Sequence, residues 1–237
     1  SSFLKTAADQ PAFKHNNWLT DLWVNNRFLI ENDPMWMTEL LRKRAAGVAH
    51  TFLLHFNIND EVFDARYGAL SLMDYLFHQF SPLVSDHDML ICNRSQGLTH
   101  AFYRFDLDQP PSSSATWNTL LGSIGHDASA GWRLHATPVE ALNTLETHLR
   151  QQRRIVIVFE YAEKIFPAGG IEQQGSATEI LQQIETLQRW AVDPYIAERE
   201  HLILLITRNR GDISPALLET SSRVEQVEIP LPEPNAR

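Results

Sequence analysis

Residues 205–237 read LITRNRGDISPALLETSSRVEQVEIPLPEPNAR, and the fold turns on this stretch. It carries the end of one apolar run, Leu202 to Thr207, and the whole of another, Val224 to Ile229, joined by a short segment that Pro215-Ala216-Leu217 opens. From Ala49 onward the same alternation repeats. Short apolar runs separated by amphipathic helical stretches are the pattern of βαβ units in a parallel sheet. Five strands follow: Thr51 to Phe56, Met89 to Cys92, Ile155 to Glu160, Leu202 to Thr207 and Val224 to Ile229. The helix ends between them are legible. Leu70 to Phe80 stops before Pro82, while Thr137-Pro138-Val139-Glu140 and Ser176-Ala177-Thr178-Glu179 have capping-box spacing. Behind the second box Ile180, Ile184, Leu187 and Ala191 form one apolar stripe, which Asp193-Pro194 closes.

The first fifty residues read as helices. Trp18, Leu22, Trp23 and Leu29 recur at helical spacing, and Asp33-Pro34 supplies an N-cap and a first-turn proline for a helix reaching Ala46, with Gly47 ending it. The aromatic residues Trp18, Trp23 and Trp36 fit core packing better than docking of a neighbouring subunit. The expected organisation is an N-terminal helical segment over 1–47 and an α/β domain over 48–237, with an irregular insertion at about 100–136 around Pro110 and Pro111. The closing PLPEPNAR reads as a linker.

Hydrophobic residues make up 43% of the 237, which supports a real core. A formal net charge of −9 argues against a surface that neutralises phosphates, so nucleic acid is not an expected partner. Arg42-Lys43-Arg44 and Arg150 to Arg154 read as solvated faces. The single cysteine, Cys92, lies within an apolar run and reads as a buried, inert thiol, which fits a reducing cytoplasm. No apolar stretch approaches the roughly 18 to 20 residues of a membrane span, and the start lacks signal-peptide order. A soluble, cytoplasmic protein is expected.

Two segments carry chemistry. IVIVFE, 155–160, is a buried-strand run that ends in Phe159 and Glu160. ATP-hydrolysing α/β domains end such a strand in two acids, one holding magnesium and one polarising water. Here the first acid is Phe159, and Glu160 stands either as a water-activating base or as a carboxylate that closes a buried strand. The second segment is 205–237. It resembles the second half of an AAA ATPase module, whose pattern runs Thr-Asn-Arg-Pro-Asp, a short helix with Pro-Ala-Leu, an arginine, and a strand ending in Pro-Leu-Pro. Asn209 matches the polar residue that orients the attacking water, although Arg208 before it is unusual for the family. Pro215-Ala216-Leu217 matches the short helix, with one residue fewer after Asp212 than is common. Arg223 falls, with a one-residue slip, near the arginine that reaches into the next subunit's nucleotide site. Pro230 to Glu233 matches the turn into a helical lid, which is expected to be absent from this chain.

The resemblance covers roughly 48–237 and implies a three-layer P-loop NTPase-like (AAA+) fold around a five-stranded parallel sheet. It fails after the first strand. A phosphate-binding loop needs glycines, a lysine and a hydroxyl. NINDEVFDARYGALS, 57–71, has one glycine, no lysine, and the acids Asp60, Glu61 and Asp64, with Asp74 just beyond. The chain therefore resembles the degenerate amino-terminal module of a bacterial tandem AAA ATPase, with the working module downstream.

Other candidates are weaker. Asp86-His87-Asp88, His126-Asp127, and His50, His55 and Asp60 contain ligand-type residues without metal-site spacing, and His50 and His55 fall on opposite faces of a strand. No metal is expected. Ser95-Gln96-Gly97 reads as a turn, since the nucleophile-elbow pattern is absent. If the second strand lay at the sheet edge, Arg94 would reach a neighbouring subunit.

Three functional readings remain. The first is a non-catalytic domain that assembles or regulates an ATP-driven remodelling protein, homo-oligomeric through AAA+-type interfaces that include Arg223. It needs no cofactor of its own, with ATP and Mg2+ belonging to the full-length protein, itself an ATPase. The second is an atypical ATPase that binds nucleotide through the backbone of Asn57 to Gly68, with Glu160 as base, Asn209 orienting water and Arg223 acting in trans. The third is a signalling or protein-binding domain that uses the former nucleotide cleft.

Overall fold

The computed structural model describes residues 33–64, 67–80, 88–101, 115–123, 133–169 and 177–231. Outside them lie the stretch read as helical around Trp18 and Trp23, the Pro110-Pro111 stretch, Asp86, His87, His126, Asp127, Ser176 of the expected second capping box, and Pro232-Glu233. In chain order the strands are β1 (Thr51–Phe56), β2 (Val62–Asp64), β3 (Gly68–Leu70), β4 (Asp88–Asn93), β5 (Gly97–His100), β6 (Arg133–Leu134), β7 (Ile155–Phe159), β8 (Leu202–Ile206) and β9 (Val224–Ile229). The helices are α1 (Met35–Ala45), α2 (Leu72–Phe80), α3 (Ala115–Ser123), α4 (Pro138–Gln151), α5 (Ala177–Val192), α6 (Pro194–Glu198) and α7 (Pro215–Leu218).

The five apolar runs form the parallel centre, in the order β4-β7-β8-β1-β9. All of β7 and β8 is buried, and alternate residues serve opposite faces. Phe52, Leu54, Val156, Val158 and Leu204 pack with Trp36, Met37 and Leu40 of α1 and with α2. Leu53, Ile155, Ile157, Ile203 and Leu205 pack with α3 to α7. The direction of each crossover explains the division. β1 to β4 moves one way along the sheet, whereas β4 to β7, β7 to β8 and β8 to β9 move the other way. Right-handed connections then place α2 on one face and α4, α5 and α7 on the opposite one.

The sheet is larger than the five strands read from sequence. β5 pairs antiparallel with β4, and β6 with β5, which makes seven strands. The condition set for Arg94, a second strand at the sheet edge, is not met: β4 has neighbours on both sides, and Arg94 belongs to the β4–β5 turn. Gly97 enables the turn at φ +76°; an added Cβ would meet the backbone oxygen of Leu134 and the backbone nitrogen of Ala136, the latter at 2.7 Å.

Three local readings change. Asp33 does not cap α1: Pro34 occupies that position, and the Asp33 carboxylate accepts hydrogen bonds from Tyr75 Oη (2.9 Å) and Gln79 Nε2 (2.8 Å). Arg44 is buried, not on a solvated face, because α1 lies on the sheet and that side of its last turn faces inward. Of the Arg150 to Arg154 run, Arg154 pairs with Glu200 at 2.8 Å. The Thr137–Glu140 capping box forms in full, and Ile180, Ile184, Leu187 and Ala191 are buried as the stripe requires.

Several histidines sit in the core. His201 Nδ1 accepts from Ile155 N (3.1 Å) while its Nε2 donates to Leu149 O (2.9 Å), a pair of roles that only the neutral ring can fill. Neither ring nitrogen of buried His148 meets a hydrogen-bond partner among the described residues. Burial pushes His50 and His148 down to about 4 and His201 to about 3, from an ordinary 6.5.

Two predictions follow from this packing. Gly97→Ala should lower stability by about 2–3 kcal/mol in urea unfolding, from strain plus displaced backbone, whereas Gly47→Ala, with open space around it, should cost about 1 kcal/mol. Because the unfolded chain binds protons on these histidines near pH 6.5 and the folded chain does not until about pH 4, stability should fall as pH drops through that window, approaching three protons in slope. His148→Leu should remove about one of those protons without loss at pH 7.5, as urea midpoints across pH would show.

Candidate functional site

With both sheet faces covered, side chains able to meet a ligand collect at the carboxyl ends of the strands, where connections to the two faces part. β1 leaves toward α2 on one face and β8 toward α7 on the other, so the crevice lies over β7, β8 and β1.

At the end of β7, Phe159 is buried edge-on against Phe166, with ring centroids 5.4 Å apart. Glu160 follows, also buried, its backbone N–H donating to Cys92 O at 3.0 Å. Its Oε2 accepts from Asn93 Nδ2 at 3.1 Å. Asn93 ends β4, and its Oδ1 accepts from Ser95 N (3.2 Å), Ser95 Oγ (3.0 Å) and Gln96 N (2.7 Å). The turn thus fixes the amide, oxygen toward residues 95–96 and nitrogen toward Glu160. Sequence reading singled out Arg94 here and missed its neighbour; the available signal was an asparagine opening a Ser-Gln-Gly turn, the Asx pattern. Cys92 beside it is buried, with its thiol pushed up to about 12 by desolvation, so it is inert as expected.

At the end of β8, Asn209 caps a single 3-10 turn, Arg210–Asp212. Its Oδ1 accepts from Gly211 N (3.0 Å) and its Nδ2 donates to Asp212 Oδ1 (3.3 Å). That turn docks on the β7 exit through Ala168 N to Asp212 O (2.8 Å) and Ser214 N to Phe166 O (2.9 Å). Arg223 is elsewhere. It is exposed, with φ +54°, immediately before β9, whose first residue pairs with Thr51 at the start of β1. Glu160 and Asn209 therefore share the carboxyl edge, while Arg223 stands at the amino edge, about 20 Å away by the length of the strand.

The connection leaving β1 is the most distinctive part of this edge. Asn57 turns toward β9, its N–H donating to Ile229 O (3.3 Å) and its Nδ2 to Pro230 O (3.2 Å), and Ile58 N donates to Phe56 O (3.1 Å). The chain then forms the antiparallel β2–β3 hairpin, with Asp64 buried and accepting from Tyr67 N at 3.2 Å. Tyr67 stacks on His78 of α2, centroids 4.2 Å apart. At the start of α2, Ser71 Oγ accepts from Asp74 N (3.2 Å) and donates to Asp74 Oδ2 (2.6 Å).

Among the described residues no group of three potential metal ligands converges. His50 Nε2 donates to Trp190 O at 2.8 Å, and Asp88 is hydrogen-bonded to buried His100, so these side chains serve the fold.

A mostly parallel sheet covered on both faces, with its crevice over β7, β8 and β1, defines a Rossmann-like α/β domain of the P-loop type. The chain belongs to the family of AAA+ chaperone N-terminal Rossmann-like domains, whose model matches residues 26–230. No curated protein matches it.

The Asn93–Glu160 contact can be tested by charge. Asn93→Asp keeps the acceptor that the turn needs but sets a second carboxylate against a buried one, which raises the affinity of the folded state for protons. The variant should be destabilised by about 2 kcal/mol or more at pH 7 and recover part of that loss at pH 5, whereas Asn93→Ala, with no added charge, should lose stability without that recovery.

Proposed function

We propose that this AAA+ domain is a non-catalytic module that assembles or regulates an ATP-driven remodelling protein, with the working ATPase module elsewhere in the full-length chain. The observation that carries this reading is the connection from β1 to α2. Where a phosphate-binding loop would present glycine N–H groups, a lysine and an open helix start, this chain has Asp60 and Glu61 leading into a hairpin whose first strand ends at Asp64. The backbone donors of Asn57 and Ile58 are taken by Ile229 O and Phe56 O, and Ser71 and Asp74 close the start of α2. Phe159 stands where an acid would hold magnesium. This donor set does not fit a magnesium nucleotide, so no hydrolytic step is assigned to Glu160 or Asn209. In this reading Glu160 closes β7 through Asn93, Asn209 shapes the β8 exit, and ATP and Mg2+ belong to the full-length protein.

Arg223 fits an interface role. It is exposed on the edge opposite the crevice and out of reach of its own Glu160, which suits a contact with a neighbouring copy or module. Homo-oligomerisation through AAA+-type surfaces is part of the proposal. Among the described residues no helix is long and apolar enough to cross a membrane.

Titration calorimetry of this chain with Mg-ATP should give no saturable heat, and a Kd tighter than about 1 mM would overturn the proposal. Within the full-length protein, Glu160→Gln should leave turnover unchanged. Loss of turnover with retained ATP binding would instead support an atypical ATPase.

A further inference from the structure

Among the described residues, three charged side chains keep a buried nitrogen or oxygen without a hydrogen-bond partner: Arg44, Glu163 and Arg199. Arg199 is held by its other nitrogens, which donate to Gln152 O and Tyr195 Oη, and its guanidinium lies over the Tyr195 ring. Glu163 is only half-buried. Arg44 differs from both. It is 7% exposed, its Nε is buried, and among the described residues no hydrogen bond, ion pair or ring contact holds its guanidinium. Burial lowers it to about 10 from an ordinary 12.5, so it is still a cation at neutral pH. A buried cation without a partner is costly, and an apolar residue of the same length would avoid that cost.

The described fold supplies no anion to this group. Arg44 lies in the last turn of α1, where Arg42 O, Lys43 O and Arg44 O already accept from Ala46 N, Val48 N and Gly47 N. Glu200 attracts Arg44 by charge, but its carboxylate is paired with Arg154 Nε at 2.8 Å. Glu225 is paired with Lys43 at 2.9 Å. Asp193, which acts on His50, caps α6 through Tyr195 N and meets Arg150 at 3.5 Å. Each of these carboxylates has a donor of its own. Positive charge gathers at the same corner of the amino edge. His50, entering β1, donates to Trp190 O, and after desolvation the charges of Arg44 and Arg223 both lower its affinity for a proton. Buried His201, entering β8, is lowered by Arg44 as well. Arg44 from α1 and Arg223 from before β9 thus bear together on the start of β1, and both histidines there stay neutral.

We infer that this corner of the amino edge is a binding site for a phosphate group, held in the guanidinium fork of Arg44 with the charge of Arg223 in support. A guanidinium presents its donors in a rigid plane that two phosphate oxygens satisfy together, and a dianion answers two arginines where a carboxylate answers one. The buried Nε then has the acceptor that the described residues do not provide. Inorganic phosphate and a phosphorylated side chain share this chemistry. The site stands at the opposite end of the strands from the crevice over β7, β8 and β1, so it does not depend on whether that crevice holds nucleotide.

The test is thermal melting of the whole 237-residue chain against inorganic phosphate, with chloride holding the ionic strength constant. Phosphate should raise the melting temperature by about 2–4 °C at tenfold above its Kd. Arg44→Met should abolish that shift, and Arg223→Gln should weaken phosphate binding at least about threefold. In chloride alone, Arg44→Met should melt at or above the parent temperature, because it removes an unpaired buried charge and keeps the length of the side chain. This arm separates binding from folding: a guanidinium already satisfied within the protein would leave the variant less stable than the parent. Acetate at the same concentration should give no shift. O-phosphoserine distinguishes the two sources, since tighter binding than inorganic phosphate assigns the site to a phosphorylated side chain and equal or weaker binding assigns it to the free ion. No shift with phosphate beyond that with chloride, a shift retained in Arg44→Met, loss of stability by that variant in chloride, an equal shift with acetate, or an unchanged Kd in Arg223→Gln would overturn the proposal.

Discussion

Burial of the parallel strands on both faces is the constraint on which the rest of the molecule depends. Every side chain of β7 and β8 is committed to one of two apolar layers, where a polar group costs free energy unless it finds a partner. The polar chemistry is displaced to the strand ends. Glu160 appears one residue past the last buried position of β7, and Asn209 three residues past the end of β8. Their placement is a consequence of strand length.

The same constraint gives the β1–α2 connection its importance. It leaves β1, the strand between β8 and the edge strand β9, and its path determines what the crevice can hold. A glycine-rich loop would leave N–H groups free to meet phosphate. Here those donors close back on β9 and on the chain itself, and the hairpin that follows is anchored to α2 by Tyr67 stacked on His78. In the reading proposed above, a phosphate site here would need a different path for the hairpin as well as a lysine. The difference from a nucleotide-binding loop is one of backbone path, not of a single missing side chain.

What the sequence disclosed and what it hid divide along physical lines. The central parallel strands were legible because a strand buried on both faces is an unbroken apolar run, and Ile155 to Phe159 and Leu202 to Ile206 contain nothing else, whereas β9, VEQVEI, keeps apolar residues only at Val224, Val227 and Ile229. α5 was legible by its stripe and α4 by its capping box. β5 and β6 were not: four residues and two residues are too short for a period, and Gly97 alone marked the turn. The β2–β3 hairpin was hidden for the same reason, inside a stretch read for the loop that it lacked. Asp33 and Arg44 failed differently, since local rules assign an aspartate before proline to a cap and an arginine in a basic run to solvent. Tyr75, Gln79 and the sheet supplied long-range contacts that outweighed both. Within the site, Glu160 was legible as the end of a strand, but Asn93, which holds it, comes from a different strand and was visible only once β4 lay beside β7.

The separation of the two edges bears on how such a domain can act. Glu160 and Asn209 stand where the parallel strands end and Arg223 where β9 begins, so any process that joins them needs a second copy or module whose amino edge faces this carboxyl edge. A rigid sheet is well suited to that geometry, because a displacement at one edge is carried to the other through strands packed on both sides and not through a loop. Asn93 and Asn209, each locked into its own turn, stiffen the carboxyl edge, while Arg223 is exposed just before β9. In the assembly proposed above, a stiff receiver and an exposed donor on opposite ends of one sheet would be the parts of a head-to-tail contact.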